Sequence, residues 1–378
     1  MSRKPFQHGL VIGKFYPPHL GHVYLIRTAA QHSGHATVLV LGSSVESISI
    51  AQRVDWLRAT FAATPNIRIV GELDDVPVDY SDADIWQAHV DIMHKAIHQA
   101  NQTFGVKPAI DAVFSSEPYG DELAKRLGCK HVCLDQRRSL YPTSGTLVRQ
   151  DLTAQWDLLP PAVKAGLAMR VVVVGAESTG TTTLSIELVK ALRSRGGVWQ
   201  SSQWVAEYGR EYSANMLAIC KAKNPQATPN DIGWQSNDFV HVAQVQCLRE
   251  EESAAVGSPI LVCDTDAFAT RVWHERYMDS AHPEVEAIAN AMSPRALYIL
   301  TSEKEVEFED DGLRDGEHLR SWMNQRFRDL LNQQKSPWIE VHGTPPERCQ
   351  IALAMIDKLM ARQWSFAPPL QPKDFESH

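Results

Sequence analysis

The sequence predicts an α/β protein made of two doubly wound parallel-sheet domains, and three observations carry that expectation. The chain has 378 residues, more than one core of ordinary size encloses. Two apolar runs, Gly9 to Gly13 and Val171 to Gly175, each end in a glycine-containing loop followed by a helical pattern, which is how the first strand and helix of an α/β domain read. After each run, strands and helices alternate, and that alternation builds parallel sheets covered on both faces, with ligands gathering at the carboxyl ends of the strands.

In the first half, the strand at Gly9 is followed by a helix with its apolar face from Leu20 to Ala30, a strand from Thr37 to Leu41, a helix from Arg53 to Phe61 and a strand from Ala112 to Phe114. Asp151 to Arg170, with Pro160 and Pro161 in its middle, reads as a linker, and the boundary is placed near residue 165. The second half repeats the pattern with buried strands at Val171 to Val174, Ile260 to Cys263 and Leu297 to Leu300. The domains expected are therefore 1–165 and 166–364, followed by a weakly ordered tail over 365–378 that carries prolines and terminal charges.

A composition of 44% hydrophobic and 22% charged residues is that of an ordinary globular chain. The formal net charge of -8 lacks the basic footprint of a nucleic-acid binder, so no DNA or RNA partner is expected. The six cysteines are scattered; Cys129 and Cys133 flank His131 without two further ligands at metal-binding spacing, and all six read as reduced packing residues. No window approaches the roughly 18 apolar residues of a membrane span, and the first residues lack the apolar core of a signal peptide, which together point to the cytoplasm. Self-association into a homo-oligomer is left open by the sequence.

Directly after the first strand stands GKFYPPHLGH, Gly13 to His22. Gly13, Lys14, Phe15, His19 and His22 fall at the carboxyl end of that strand and the start of a helix, where free backbone N–H groups attract anions and the imidazoles and ammonium add donors for a phosphate. Late in the same half, Thr143 to Arg149 read TSGTLVR: the Ser144 and Thr146 hydroxyls open a helix, and Arg149 carries a planar fork suited to two phosphate oxygens. The first string resembles the His-x-Gly-His signature of nucleotidyltransferases, and with the second it resembles the nicotinamide mononucleotide adenylyltransferase domain of the bifunctional NadR family. SSEPYGDELAKRLG, Ser115 to Gly128, resembles that family's segment at the same place. The resemblance implies a Rossmann-like domain that transfers AMP from ATP to nicotinamide mononucleotide, giving NAD and pyrophosphate. In it, His19, His22, Lys14 and Arg149 would act on the phosphates, while Trp86 and Tyr119 are read either as stacking partners for the nicotinamide ring or as core aromatics.

VVVVGAESTGTTTL, Val171 to Leu184, is a strand, a glycine loop and a helix start that match the phosphate-loop pattern at Gly175, Gly180 and Thr182, with Ser178, Thr179 and Thr183 as further candidates for the nucleotide. Thr181 stands where that pattern has its lysine, so the cradle and the Mg2+-binding hydroxyl remain and one charge is lost. The strand Ile260 to Cys263 runs into Asp264, a natural second ligand for Mg2+ beside Thr182. WVAEYGREY around Glu207 and DGLRDGEHLR from Asp311 resemble the ribosylnicotinamide kinase domain of the same family. There, Arg314 would lie over the phosphates, Asp266 or Glu207 would accept the ribose hydroxyl or its proton, and Arg210, Arg314 or Arg320 would replace the absent lysine charge.

The resulting expectation is an enzyme of NAD biosynthesis or salvage that uses ATP with Mg2+ and binds nicotinamide mononucleotide, nicotinamide riboside and NAD. Some members of the family carry a DNA-binding domain in front. The first strand here begins by residue 9, so a repressor role is not expected. Two alternatives stay open: a nucleotidyltransferase for another phosphorylated acceptor, and an adenylyltransferase whose second domain senses nucleotide without transferring phosphate.

Overall fold

A computed structural model describes residues 4–370 except 78, 80, 107, 305 and 315. The chain divides into two compact units, one running to Val163 and joined by the residues from Trp364 on, the other spanning Lys164–Gln363.

The first unit holds one five-stranded parallel sheet with strands β1 (Phe6–Gly13), β2 (Ser33–Gly42), β3 (Ile67–Leu73), β4 (Ala112–Ser115) and β5 (Lys130–Cys133) in the order β3-β2-β1-β4-β5. Leu10, Val11, Val38, Leu39 and Val40 are fully buried, as expected of strands covered on both faces. The helices between them are α1 (Leu20–His32), α2 (Ile50–Thr60), α3 (Ala83–Phe104), α4 (Tyr119–Leu127) and α5 (Gly145–Gln150). Strand order reverses between β1 and β4, and that reversal opens a crevice at their carboxyl ends.

The second unit repeats the plan with β6 (Met169–Val174), β7 (Gln203–Val205), β8 (Ile260–Asp264), β9 (Arg295–Thr301) and β10 (Trp338–Val341) in the order β10-β9-β6-β8-β7, all parallel. The central strand β6 is buried throughout. Its loop leads into the helix Thr181–Ser194.

Both sheets are those the sequence predicts, and β5 falls where the alternation between Cys129 and Cys133 suits a strand, but β3, β7 and β10 add strands that the apolar runs do not announce. These are outer strands with mixed sequences such as QWV. The expected linker is largely helical, with Leu152–Gln155 and Pro161–Leu167 in helices and Trp156 fully buried between them. The expected weakly ordered tail is also different where it is described. Ala367 donates its N–H to Ser47 Oγ (2.6 Å) and accepts from Tyr16 Oη (2.9 Å), and the Phe366 ring meets that of Tyr16 edge-on. Among the described residues, no helix is long and apolar enough to cross a membrane.

Candidate active sites

The crevice of the first unit opens into a cavity of about 510 Å³ at the carboxyl ends of β1 and β4. Lys14, Phe15, His19, His22, Ser144, Thr146 and Arg149 all line it, and so do Trp86 and Tyr119. Most of these come from two contiguous stretches because strand, turn and helix start follow one another directly in the sequence.

His19 is the residue that opens α1, and its backbone N–H donates to His22 Nδ1 (3.3 Å), which leaves the other ring nitrogen of His22 as the proton donor. The two rings stack with centroids 3.6 Å apart, and His19 Nδ1 is buried with no partner. Burial, reinforced by the nearby Arg138 charge, pulls the His19 imidazole down to about 3. Burial, the neighbouring His19 and Arg138 hold His22 well below the usual imidazole range. Both rings are therefore neutral in the ligand-free protein and serve as hydrogen-bonding groups.

Positive charge comes from the surrounding residues. Lys14 lies 3.4 Å from Glu46, a buried carboxylate that also pairs with Arg53 at 2.8 Å. Arg53 is fully buried and donates to the Lys14 carbonyl, so it braces the loop from behind. Ser144 caps α5 by accepting from Leu147 N (3.1 Å), and Arg149 is held by the Tyr16 carbonyl (2.6 Å) and Thr146 Oγ1 (3.3 Å). Tyr119 donates to the Ile12 carbonyl at 3.1 Å, and the Arg126 guanidinium lies over the Trp86 ring, so each is held in the cavity wall. Four further lining residues escape a motif reading: Asp74 and His89, paired at 2.6 Å, and Glu117 and Arg138. They come from three separate loops and, for His89, from helix α3, and only the chemistry-bearing spelling of Ser115–Gly128 gave a local hint of Glu117.

In the second unit, a cavity of about 110 Å³ lies over the loop Gly175–Thr182. Gly180, at φ +86°, lets the loop turn into its helix. Thr182 Oγ1 donates to Asp264 Oδ2 (2.6 Å), while Asp264 Oδ1 is buried without a partner. That orphaned oxygen beside a hydroxyl forms a hard-oxygen pair that fits Mg2+. Burial raises the Asp264 carboxyl to about 6, and burial together with Asp264 lifts that of Glu207 to about 8. Gly175, Ser178, Thr181, Thr182, Glu207, Arg210 and Arg314 line the cavity.

Four expected residues sit elsewhere. Asp266 is fully buried and engaged by Arg295 Nε (3.0 Å), Tyr298 Oη (2.8 Å) and the Ala269 N–H (3.1 Å), so it caps a helix and anchors an ion pair, and of the two carboxylates only Glu207 lines the cavity. Thr179 turns inward, bonded to the Ala176 carbonyl and Thr301 Oγ1. Thr183 is exposed in the first turn of the helix. Arg320 donates to the Ser178 and Val306 carbonyls, a loop brace rather than a free charge. Opposite the loop, Trp234, Phe239, Trp273 and Tyr277 form an aromatic wall, with Trp234 centroids 5.3 Å from Phe239 and 5.2 Å from Tyr277. Their spacing in sequence resembles ordinary core aromatics, so only the fold brings them together.

Residues 170–348 match a family described as AAA domain. Among curated proteins, the chain is 25% identical over 320 residues to the trifunctional NAD biosynthesis/regulator protein NadR of Escherichia coli (strain K12), covering 81% of this chain and 71% of that protein. It is 24% identical over 319 residues to the Salmonella typhimurium protein of the same name, with the same coverage. Among solved structures, a NadR protein in complex with NR aligns with a TM-score of 0.66 at 20% identity, covering 94% of this chain and 96% of that one. A NadR protein in complex with NAD and AMP-PNP aligns at 0.61 and 19%, covering 93% and 97%. Over most of its length the chain is thus similar to NadR proteins, and it shares their fold.

Proposed function

We propose that the first unit transfers the adenylyl group of ATP to nicotinamide mononucleotide, giving NAD and pyrophosphate, and that the second unit makes that mononucleotide by phosphorylating nicotinamide riboside with ATP. The observation that carries the reading is the convergence, on one cavity, of the neutral His19–His22 stack with Lys14 and the Ser144–Arg149 helix start. An oxygen of the mononucleotide's phosphate attacks the α-phosphorus of ATP, the bond from that phosphorus to the bridging oxygen breaks, and pyrophosphate leaves with the electron pair. Hydrogen bonds from the imidazoles and the charges of Lys14 and Arg149 stabilise the oxygens where charge gathers, so positioning and electrostatics do the catalysis with no covalent enzyme intermediate.

In the second unit the aromatic wall suits a cationic pyridinium ring, and Glu207, in the ionised form that becomes the major one above about pH 8, is placed to take the proton of the ribose hydroxyl as its oxygen attacks the γ-phosphorus and ADP leaves. Thr182 and Asp264 would hold Mg2+, which neutralises phosphate charge. Arg210 and Arg314 share the cavity with Thr181 and supply the charge that its side chain lacks. The relatives bound to NR and to NAD with AMP-PNP support these ligand classes. Thr181 also keeps a second reading in view, in which this unit binds nucleotide as a sensor.

The deciding experiment supplies purified protein with ATP and Mg2+, and with either the mononucleotide or the riboside. Dinucleotide from both establishes two working sites. Dinucleotide from the mononucleotide alone, with no ADP from the riboside, marks the second unit as a sensor. Dinucleotide from neither defeats the acceptor assignment.

A further inference from the structure

The turn that follows β5 holds two non-glycine residues in the left-handed region, Asp135 at φ +46° and Arg138 at φ +53°. Such backbone is costly and persists where surrounding contacts enforce it, commonly at ligand sites. Here the Asp135 carboxylate accepts from the N–H groups of Ser139 (2.7 Å) and Leu140 (3.0 Å), and its carbonyl accepts from Arg138 N (2.7 Å). The turn thereby aims the Arg138 guanidinium at the cavity wall, where Nη2 meets Glu117 Oε1 (2.5 Å) and Nη1 meets the Thr143 carbonyl (3.3 Å).

Glu117 is itself fixed. Its N–H donates to Ser115 Oγ (3.3 Å), whose hydroxyl also lies 2.8 Å from His131 Nε2, and His131 Nδ1 is 2.7 Å from Asp121. The Arg138 side chain keeps 39% of its surface exposed, close enough to the two stacked histidines for its charge to act on both. The other two cations of the cavity are held in the same way, Lys14 by a carboxylate and Arg149 by a carbonyl and a hydroxyl.

We propose that Arg138 is a phosphate-binding catalytic residue of the first unit, gripping substrate phosphate oxygens beside His19 and His22, and that Glu117 is the positioning residue that presents its fork. The proposal rests on reading this cavity as an adenylyl-transfer site. An incidental ion pair between partly exposed side chains contributes little and would need neither strained turn nor buried anchor.

The test uses the full chain carrying R138A, R138K or E117Q. Dinucleotide formation is measured against mononucleotide and ATP concentration, and pyrophosphate binding is measured by calorimetry. R138A is expected to lower kcat/KM about 100-fold, and R138K to recover less than about a tenth of the loss, because an ammonium cannot replace the planar fork. E117Q is expected to raise KM while largely keeping kcat. Affinity for pyrophosphate falls in R138A, and the second unit's ATP binding is unchanged. Wild-type kcat/KM and pyrophosphate affinity in both Arg138 variants would overturn the proposal. If the unaltered protein makes no dinucleotide, the acceptor reading has failed, and the pyrophosphate titration still decides the role of Arg138.

Discussion

Glu207 and Asp266 are both buried carboxylates of the second unit, and their partners assign them different work. Asp266 has a guanidinium at 3.0 Å and a phenol at 2.8 Å, and removing it would leave the buried Arg295 Nε and Tyr298 hydroxyl without their acceptor, with Glu250 the remaining carboxylate on Arg295. Glu207 borders the cavity without such compensation, so burial and the nearby Asp264 hold its proton on until about pH 8. The folded state thus binds a proton that the unfolded state has released above the ordinary carboxyl range. This contribution to stability is present below that range and is lost as pH rises toward 8. E207Q removes the titration, so its melting temperature should exceed that of the unaltered protein by a margin that widens from pH 5 to pH 9, while riboside phosphorylation is lost. D266A should instead lose about 3–5 kcal/mol of stability at neutral pH. Calorimetric melting across pH checks both, and a margin for E207Q that stays flat with pH would remove the proton-linked account.

At the scale of elements, what could be read from sequence was whatever is contiguous. Gly13–His22, Ser144–Arg149 and Gly175–Thr182 each place a strand end or cap beside a helix start within about ten residues, so their chemistry survives being read locally. Arg138, Glu117 and the aromatic wall are assembled from distant loops and helices, and no periodicity announces them. The inward turn of Asp266 was hidden for the same reason, since Arg295 lies 29 residues away. The docking of Phe366 and Ala367 depends on Tyr16 and Ser47, more than 300 residues earlier. Gly120 shows how such contacts override local preference. It lies in the first turn of α4, where alanine would ordinarily gain about 1 kcal/mol. A Cβ there would come within 2.2 Å of His131 Nε2 and 2.4 Å of Ser115 Oγ. The overlap should win, with Gly120→Ala costing about 1–3 kcal/mol in urea unfolding and weakening dinucleotide formation through the displaced Glu117 turn. A stabilised variant would mean that the His131 and Ser115 anchor yields freely.

For the whole molecule, each unit has its own parallel sheet, its own core and its own cavity, and the product proposed for the second unit is the acceptor proposed for the first. If the mononucleotide is released between the two steps, the reactions need not occur on one chain. H22A should then abolish dinucleotide formation while leaving riboside phosphorylation, and E207Q should do the reverse. Mixed in equal amounts with ATP, Mg2+ and riboside, the two variants should form dinucleotide after a lag that shortens as protein concentration rises, because the intermediate must accumulate in solution to reach the other protein. Measuring the mononucleotide during the lag adds an internal check, since it should rise before the dinucleotide appears. No dinucleotide from the mixture, with each variant active in its own half-reaction, would show that the intermediate must be handed over within a single chain. Dinucleotide without lag or accumulated mononucleotide would show transfer between associated chains.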